Sequence, residues 1–157
     1  MTADYTASLP RKRIGAGVVL LDPQGRVLLV EPTYKPYWEI PGGAVEADES
    51  PRAAVVREIK EELALDLEPG RLLVTDWVPP RPGRTEGLML LFDGGVLTPD
   101  RTAHIDLPPD ELRSWAWCTE REAAERLSGL LARRMTAAVR ARAESTAVYL
   151  EDGFGHS

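Results

Sequence analysis

One segment, SPRAAVVREIKEEL, carries the strongest folding signal in the chain. Ser50 is a favourable helix N-cap, and Pro51 falls at the first helical position, where its missing N–H costs nothing. Apolar residues recur at helical spacing behind this start, so we expect a helix over residues 51–64. Such a helix packs its apolar stripe against the rest of the fold and leaves the opposite face accessible.

The accessible face of this helix is acidic. At about 100° per residue, Glu58, Glu61 and Glu62 fall within an arc of about 100°, away from the apolar stripe. A solvated face with ordinary charge pairing is one explanation. However, Glu58 and Glu62 form a like-charged i,i+4 pair, and the macrodipole disfavours carboxylates near the helix C-terminus. A divalent cation such as Mg²⁺ prefers oxygen ligands and would offset this repulsion, so a metal site is the alternative.

The residues before the helix favour the metal site. Gly42 and Gly43 let the backbone approach other groups closely, and a carbonyl freed at such a turn could coordinate a metal. An ordinary tight turn is the alternative for this pair. Glu49 lies just before the cap and Arg57 follows about two helical turns later, so an ion pair between them could fix the loop to the helix.

The spacing from Gly43 to Leu65 resembles the Nudix box, Gly-x5-Glu-x7-Arg-Glu-U-x-Glu-Glu-x-Gly-U, in which U is a bulky apolar residue. Every defining position matches except the final glycine, which is Ala64 here. The preceding WEIPGG resembles the Trp-x-x-Pro-Gly-Gly lead-in of that family. Glycine would end the helix in the left-handed conformation, which costs alanine about 1 kcal/mol. We therefore expect a small change in loop geometry at Ala64 and no loss of metal binding.

The resemblance implies a Mg²⁺- or Mn²⁺-dependent hydrolase of a nucleoside diphosphate linked to another group. The catalytic set that it implies is Glu49, Arg57, Glu58, Glu61 and Glu62. Of these, the three glutamates after Arg57 bind the metal, and the backbone of Gly43 completes its coordination. Arg57 and Glu49 hold the motif together. A non-catalytic Nudix-like domain that binds or senses a nucleotide is the alternative, but it would be free to lose the metal-binding glutamates, and all three are present.

Residues outside the motif are candidates for substrate binding and proton transfer. The general base in this family is a motif glutamate or one from a later loop; Glu111 in PPDELRSWAW is our candidate and Glu86 a weaker one. The substrate-binding candidates are Trp38, Lys35, Arg81, Arg84 and Glu111. Trp38, like Tyr34 and Tyr37, could stack on a base or pack within its loop. The three cations could hold phosphates or ribose, or be solvated.

The rest of the chain predicts an α+β fold, which the resemblance specifies as an α/β/α sandwich with a mixed β-sheet. RIGAGVVLL and RVLLV, separated by DPQG, predict a β-hairpin, and RLLVTDW, GLMLLFDG and RSWAWC predict further strands. DRTAHIDLPPDEL is ambiguous and is assigned a short strand followed by a loop. Thr119 and Glu122 have capping-box spacing, so a helix should start near Glu120, with a break at Ser128-Gly129.

We divide the chain into a flexible N-terminal arm (1–12), a single domain (13–145) and a C-terminal tail (146–157) that either pairs or frays. The net charge of −6 argues against binding duplex nucleic acid and leaves a small nucleotide as the expected partner. Cys118 is the only cysteine, which fits a reducing compartment. No apolar run resembles a signal peptide or membrane span, so we expect a cytoplasmic protein. The long apolar C-terminal helix is compatible with a homodimer.

Overall fold

The computed structural model describes the backbone of residues 2–156 and the side chains of residues 4–156. The helices are α1 (Thr2–Ser8), α2 (Pro51–Leu63), α3 (Pro99–Thr102), α4 (Glu120–Arg126) and α5 (Gly129–Ala143). The strands are β1 (Arg13–Leu21), β2 (Val27–Pro32), β3 (Gly42–Ala44), β4 (Leu72–Val78), β5 (Gly87–Val96), β6 (Leu112–Cys118), β7 (Val148–Glu151) and β8 (Phe154–Gly155).

The strands form one mixed sheet in the order β6-β2-β1-β5-β4-β7-β8, with β3 pairing to β1. β1 is parallel to β5 and β4 is parallel to β7, whereas the other pairs are antiparallel. The predicted hairpin is confirmed as β1 and β2. These pairings confirm the α+β class and the mixed sheet.

Alternation along β1 divides the core between the two faces of the sheet. Val18 and Leu20 belong to a cluster with Ile59 of α2. Val19 and Leu21 belong to a second cluster with Met135 of α5. Helices therefore cover both faces of the sheet, as the α/β/α prediction requires.

The helix that carries the acidic motif begins and ends as its sequence indicates. Ser50 Oγ accepts a hydrogen bond from the Ala53 N–H at 3.1 Å, and Pro51 is the first helical residue. Ala64 adopts the left-handed conformation, with φ 59° and ψ 26°, and its N–H donates to the Lys60 carbonyl at 3.0 Å. The alanine thus occupies the backbone position that favours glycine.

The structure of three segments either differs from the prediction or decides between two predicted alternatives. The expected arm contains α1, a short helix without buried side chains among those described. The ambiguous segment after β5 forms α3, not a strand, because Pro99 follows an extended Thr98 and starts a helical turn. The C-terminal segment pairs rather than frays: β7 lies beside β4 and turns back into β8. The division into arm, domain and tail remains a prediction.

The predicted break between the two last helices is confirmed, since Thr119 forms a full capping box with Glu122 and Ser128 caps α5. The apolar side of α5, including Met135 and Ala138, packs on the sheet. The observation behind the homodimer prediction is therefore explained within one chain. No helix in residues 2–156 is long and apolar enough to cross a membrane.

Candidate functional site

A cavity of about 760 Å³ opens where β1 runs between β3 and β5. Its lining comes from elements on both faces of the sheet. Glu58 and Glu62 project from α2, whereas Leu131 and Arg134 come from α5. The acidic motif therefore shares one cavity with residues from the opposite helix layer.

Arg57 is the centre of the polar contacts on α2. Its Nε and Nη2 donate to the two carboxylate oxygens of Glu49 at 2.8 and 2.9 Å, which confirms the expected ion pair. Nη2 also donates to the Ala44 carbonyl at 3.1 Å and so ties β3 to the helix. Nη1 donates to Glu58 at 2.9 Å and to Glu61 at 3.4 Å. Hydrogen bonds from Arg57 hold the pKa of Glu49 at about 2, so this pair stays charged.

Glu62 is buried, in contrast to the expectation that the whole acidic ridge faces outward. Only 7% of the residue is exposed, because the segment leading into β3 covers that side of the helix, and the Gly42 N–H donates to its Oε1 at 3.0 Å. Burial and the neighbouring Glu58 and Glu111 carboxylates together raise the pKa of Glu62 to about 8, against the lowering effect of the Gly42 hydrogen bond. Without a cation, Glu62 is thus largely protonated at neutral pH.

Glu58 lies beside Glu62 and against the backbone of β3. It is within hydrogen-bonding reach of Glu62, and a Cβ added to Gly43 would lie 2.4 Å from its Oε1. Only glycine lets the main chain approach this carboxylate so closely. Burial raises the pKa of Glu58, Arg57 lowers it, and neighbouring carboxylates raise it again. Glu61 differs, since its side chain is 56% exposed and its contact is with Arg57.

The predicted metal ligands fit a hard divalent cation in their chemistry but are not assembled as a ready coordination site. Among the residues described, no group of three or more Asp, Glu, His or Cys side chains is arranged to hold a metal ion. Arg57 occupies one oxygen each of Glu58 and Glu61. Nevertheless Glu58, Glu62 and the close Gly43 backbone offer oxygen donors, and the two carboxylates repel each other when both are ionised. Metal binding by Glu58, Glu61, Glu62 and Gly43 stays a prediction.

The cationic candidates gather at the cavity as expected. Lys35, Arg81 and Arg84 all line it, although they come from two separate loops. Lys35 forms an ion pair with Glu39, and its pKa is lowered by burial and by the charge of Arg84. Arg81 forms an ion pair with Asp152. The cavity is therefore acidic beside α2 and basic in these loops.

The glutamate and aromatic candidates divide between the cavity and other parts of the molecule. Glu111 lines the cavity and is close enough to raise the pKa of Glu58 and Glu62. Glu86 is engaged elsewhere, accepting from Lys12 at 2.7 Å and from Trp77 Nε1 at 2.8 Å.

Trp38 does not line the cavity, and substrate binding by Trp38 stays a prediction. Its ring packs against the core cluster on the α5 side, and the Arg126 guanidinium lies 4.5 Å from the ring centroid. Tyr34 and Tyr37 do line the cavity and are exposed.

Sequence reasoning missed one buried ion pair beside the cavity. Arg134 Nε donates to Asp76 Oδ2 at 2.8 Å, and their side chains are 7% and 0% exposed. The alternation of apolar and polar residues in α5 and β4 contained a signal for both residues. Arg134 stands three residues after Leu131 on the apolar side of α5, and Asp76 takes the inward position between Val74 and Val78 on β4.

The chain is similar in sequence and in fold to known proteins. The NUDIX domain profile matches residues 11–139. An RNA pyrophosphohydrolase of Dinoroseobacter shibae is 31% identical over 136 residues, covering 74% of this chain and 82% of that protein. A MutT-like protein of Streptomyces ambofaciens is 31% identical over 125 residues, covering 76% and 71% respectively. The crystal structure of a MutT protein from Methanosarcina mazei Go1 has the same fold, with a TM-score of 0.69 at 22% identity, over 88% of this chain and 99% of that one.

Proposed function

The chain belongs to the Nudix domain family and is a Nudix hydrolase, and from this premise we propose that it cleaves a phosphoanhydride bond in a nucleoside diphosphate linked to another group, using Mg²⁺ or Mn²⁺. One observation carries the proposal. The buried Glu62, which has no internal counter-charge, and the half-buried Glu58 beside it face cationic loops across a single cavity. Binding a cation together with a phosphate chain would satisfy both sides of the cavity.

Glu58, Glu61, Glu62 and the backbone of Gly43 would hold the cation. When bound there, it would neutralise phosphoryl oxygens and lower the pKa of a water molecule. Arg57 fixes Glu58 and Glu61 in place and, through Glu49 and the Ala44 carbonyl, sets the distance between α2 and β3. Gly42 orients Glu62 through its N–H. These contacts position the carboxylates before substrate arrives, which is the main requirement for phosphoryl transfer.

The remaining roles fall to residues around the cavity. Lys35, Arg81 and Arg84 would bind phosphate or ribose oxygens, since ammonium and guanidinium groups are the usual partners of phosphate. Glu111 is exposed beside the buried glutamates and would take the proton from the attacking water; a motif glutamate is the alternative base. A volume of about 760 Å³ suits a mononucleotide with its attached group.

The test is a panel of nucleotides with Mg²⁺, with release of phosphate-containing products as the readout. The panel includes nucleoside triphosphates, nucleoside diphosphate sugars and dinucleoside polyphosphates, and it would identify the substrate. We expect turnover by the wild type, loss of turnover by Glu62→Gln, and unchanged turnover by Glu86→Gln, whose carboxylate is bound to Lys12 and Trp77 away from the cavity. Binding without turnover by folded wild-type protein would favour the nucleotide-sensing alternative instead.

Other partners remain predictions. A small nucleotide is the expected ligand, and the net charge of −6 argues against duplex nucleic acid. We infer a cytoplasmic location from the single cysteine, which cell fractionation would test. A homodimer would be detected by sedimentation.

A further inference from the structure

Arg134 is the one buried cation that faces the cavity from the α5 side and is held there by a counter-charge among the described residues. Its Nε donates to one oxygen of Asp76 at 2.8 Å, while the Gly153 N–H donates to the other oxygen at 3.0 Å. Asp76 is thus fixed by β4 and by the turn between β7 and β8. The guanidinium is locked in orientation before any ligand binds.

The outer nitrogens of Arg134 have no protein partner within the described part of the chain. Among the described residues, Arg134 makes one hydrogen bond, from Nε to Asp76. None of its nitrogens is both fully buried and without a hydrogen-bond partner, so Nη1 and Nη2 keep some accessible surface. Since Arg134 lines the cavity, Nη1 and Nη2 are open to it. Two parallel N–H donors on a side chain that is 93% buried make a fixed recognition element.

Arg134 shares the cavity with an apolar part of its wall, formed by β1 and β5. Gly15 and Gly17 fall on the α5 face of β1, in register with Met89 and Leu91 of β5. A Cβ at Gly15 would meet Met89 Sδ at 2.6 Å, and one at Gly17 would meet Leu91 Cδ2 at 3.0 Å. The two glycines leave room for the side chains of Met89 and Leu91, which lie over β1 and give the cavity an apolar wall there.

We propose that the base of the nucleotide lies against this apolar wall and that Arg134 recognises a base edge with two neighbouring acceptor atoms. Guanine presents O6 and N7, and cytosine presents O2 and N3, whereas adenine places an amino donor beside each acceptor on these edges. Asp76 neutralises the charge of Arg134, so the pair suits an uncharged acceptor edge better than a phosphate. The inference rests on the proposed function only in taking the ligand to be a nucleotide.

The test measures binding without turnover. The 5′-monophosphates GMP, CMP, AMP and UMP contain no anhydride bond, so each is titrated calorimetrically into wild-type protein with Mg²⁺ present. We expect GMP or CMP to bind about 10-fold more tightly than AMP, as one bidentate contact implies. Comparing GMP with CMP then identifies which acceptor edge is read.

Arg134→Lys keeps a cation opposite Asp76 but loses the forked pair of donors, so the base preference should fall to within about two-fold. Arg133→Lys is the matched control. Its side chain contacts Asp152 and Phe154 and does not line the cavity, so the preference should be retained. Thermal unfolding checks that both variants are folded. Gly15→Ala puts a methyl group 2.6 Å from Met89 Sδ, so it displaces the flexible Met89 side chain from the cavity wall and should weaken all four ligands.

The proposal fails if the wild type binds the four monophosphates equally or prefers AMP. It also fails if Arg134→Lys keeps the preference, or if it weakens all four ligands equally, as loss of a phosphate contact would. Unchanged binding by Gly15→Ala would exclude the apolar wall as the place where the base lies. Because no hydrolysis is involved, a base preference could be found in a protein that turns nothing over, and the two proposals therefore fail separately.

Discussion

Two buried acids on opposite faces of the sheet differ in what surrounds them. Asp76, on the α5 face, is fully buried and has a guanidinium and a backbone N–H as partners. Glu62, on the α2 face, is almost as buried but has one backbone N–H and two neighbouring carboxylates. The first acid is neutralised within the protein; the second is not.

The difference separates a structural charge from a charge kept for a ligand. A buried ion is costly unless it is paired, so folding selects the arrangement around Asp76. The arrangement around Glu62 is unfavourable for folding alone, because burial and like charges both oppose ionisation. Such a site is explained if an external cation completes it. Removing each acid should therefore affect stability in opposite directions.

Asp76→Ala should give the largest effect on stability. It leaves the Arg134 guanidinium and the Gly153 N–H buried without their acceptor, at a cost of about 3–5 kcal/mol in free energy of unfolding. Urea denaturation followed by circular dichroism measures the change. As a control, Glu86→Ala removes a partly exposed ion pair with Lys12 and the acceptor of the Trp77 indole N–H, and it should cost much less than Asp76→Ala. Equal losses of unfolding free energy in the two variants would show that the Asp76 pair contributes no more to stability than an exposed ion pair does.

Glu62→Gln should instead stabilise the metal-free protein at pH 8, by about 1–3 kcal/mol. Burial raises the pKa of Glu62 from 4.5 to about 8. A raised pKa adds stability below the unfolded-state value and loses that contribution as the pH rises through the folded-state value. The wild type in EDTA should thus weaken between about pH 5 and pH 8, relative to the variant, whose amide stays neutral. The expectation is contradicted if the difference in free energy of unfolding between the wild type and Glu62→Gln is the same at about pH 5 and at pH 8.

Ala64→Gly should have the smallest effect, a gain of about 1 kcal/mol in free energy of unfolding, with turnover unchanged. Ala64 holds a left-handed conformation at the end of the helix that carries Glu62, and glycine adopts it without the Cβ penalty. Its side chain does not line the cavity. A loss of stability would show that the Ala64 methyl group makes contacts worth more than the backbone strain.

The local parts of this structure could be predicted, because their signals lie close together in the chain. Ser50 caps α2 as expected, and Arg57 pairs with Glu49 eight residues away. The burial of Glu62 could not be predicted in the same way. It depends on Gly42, twenty residues earlier, lying over the helix, which is a consequence of how β3 pairs with β1.

The contacts on the α5 side of the cavity were harder still to predict from the sequence. Asp76 and Arg134 are 58 residues apart, and their contact requires the final order of the strands. An inward-facing Asp and Arg can each be suspected from periodicity, but no sequence rule pairs them. For Trp38 the sequence left stacking on a base and packing both open, and the ring packs against Arg126 and the core.

Calorimetric titration of Mn²⁺ into the metal-free wild type at pH 8, in buffers of different ionisation enthalpy, tests the central claim most directly. In this account a divalent cation completes the acidic cluster around Glu62. We expect binding accompanied by proton release, since Glu62, with a pKa of about 8, must lose its proton to coordinate metal. Glu62→Gln should weaken binding by at least about 10-fold, and Glu86→Gln should leave it unchanged. Equal Mn²⁺ affinity in the wild type and Glu62→Gln, or no binding by either, would contradict the account.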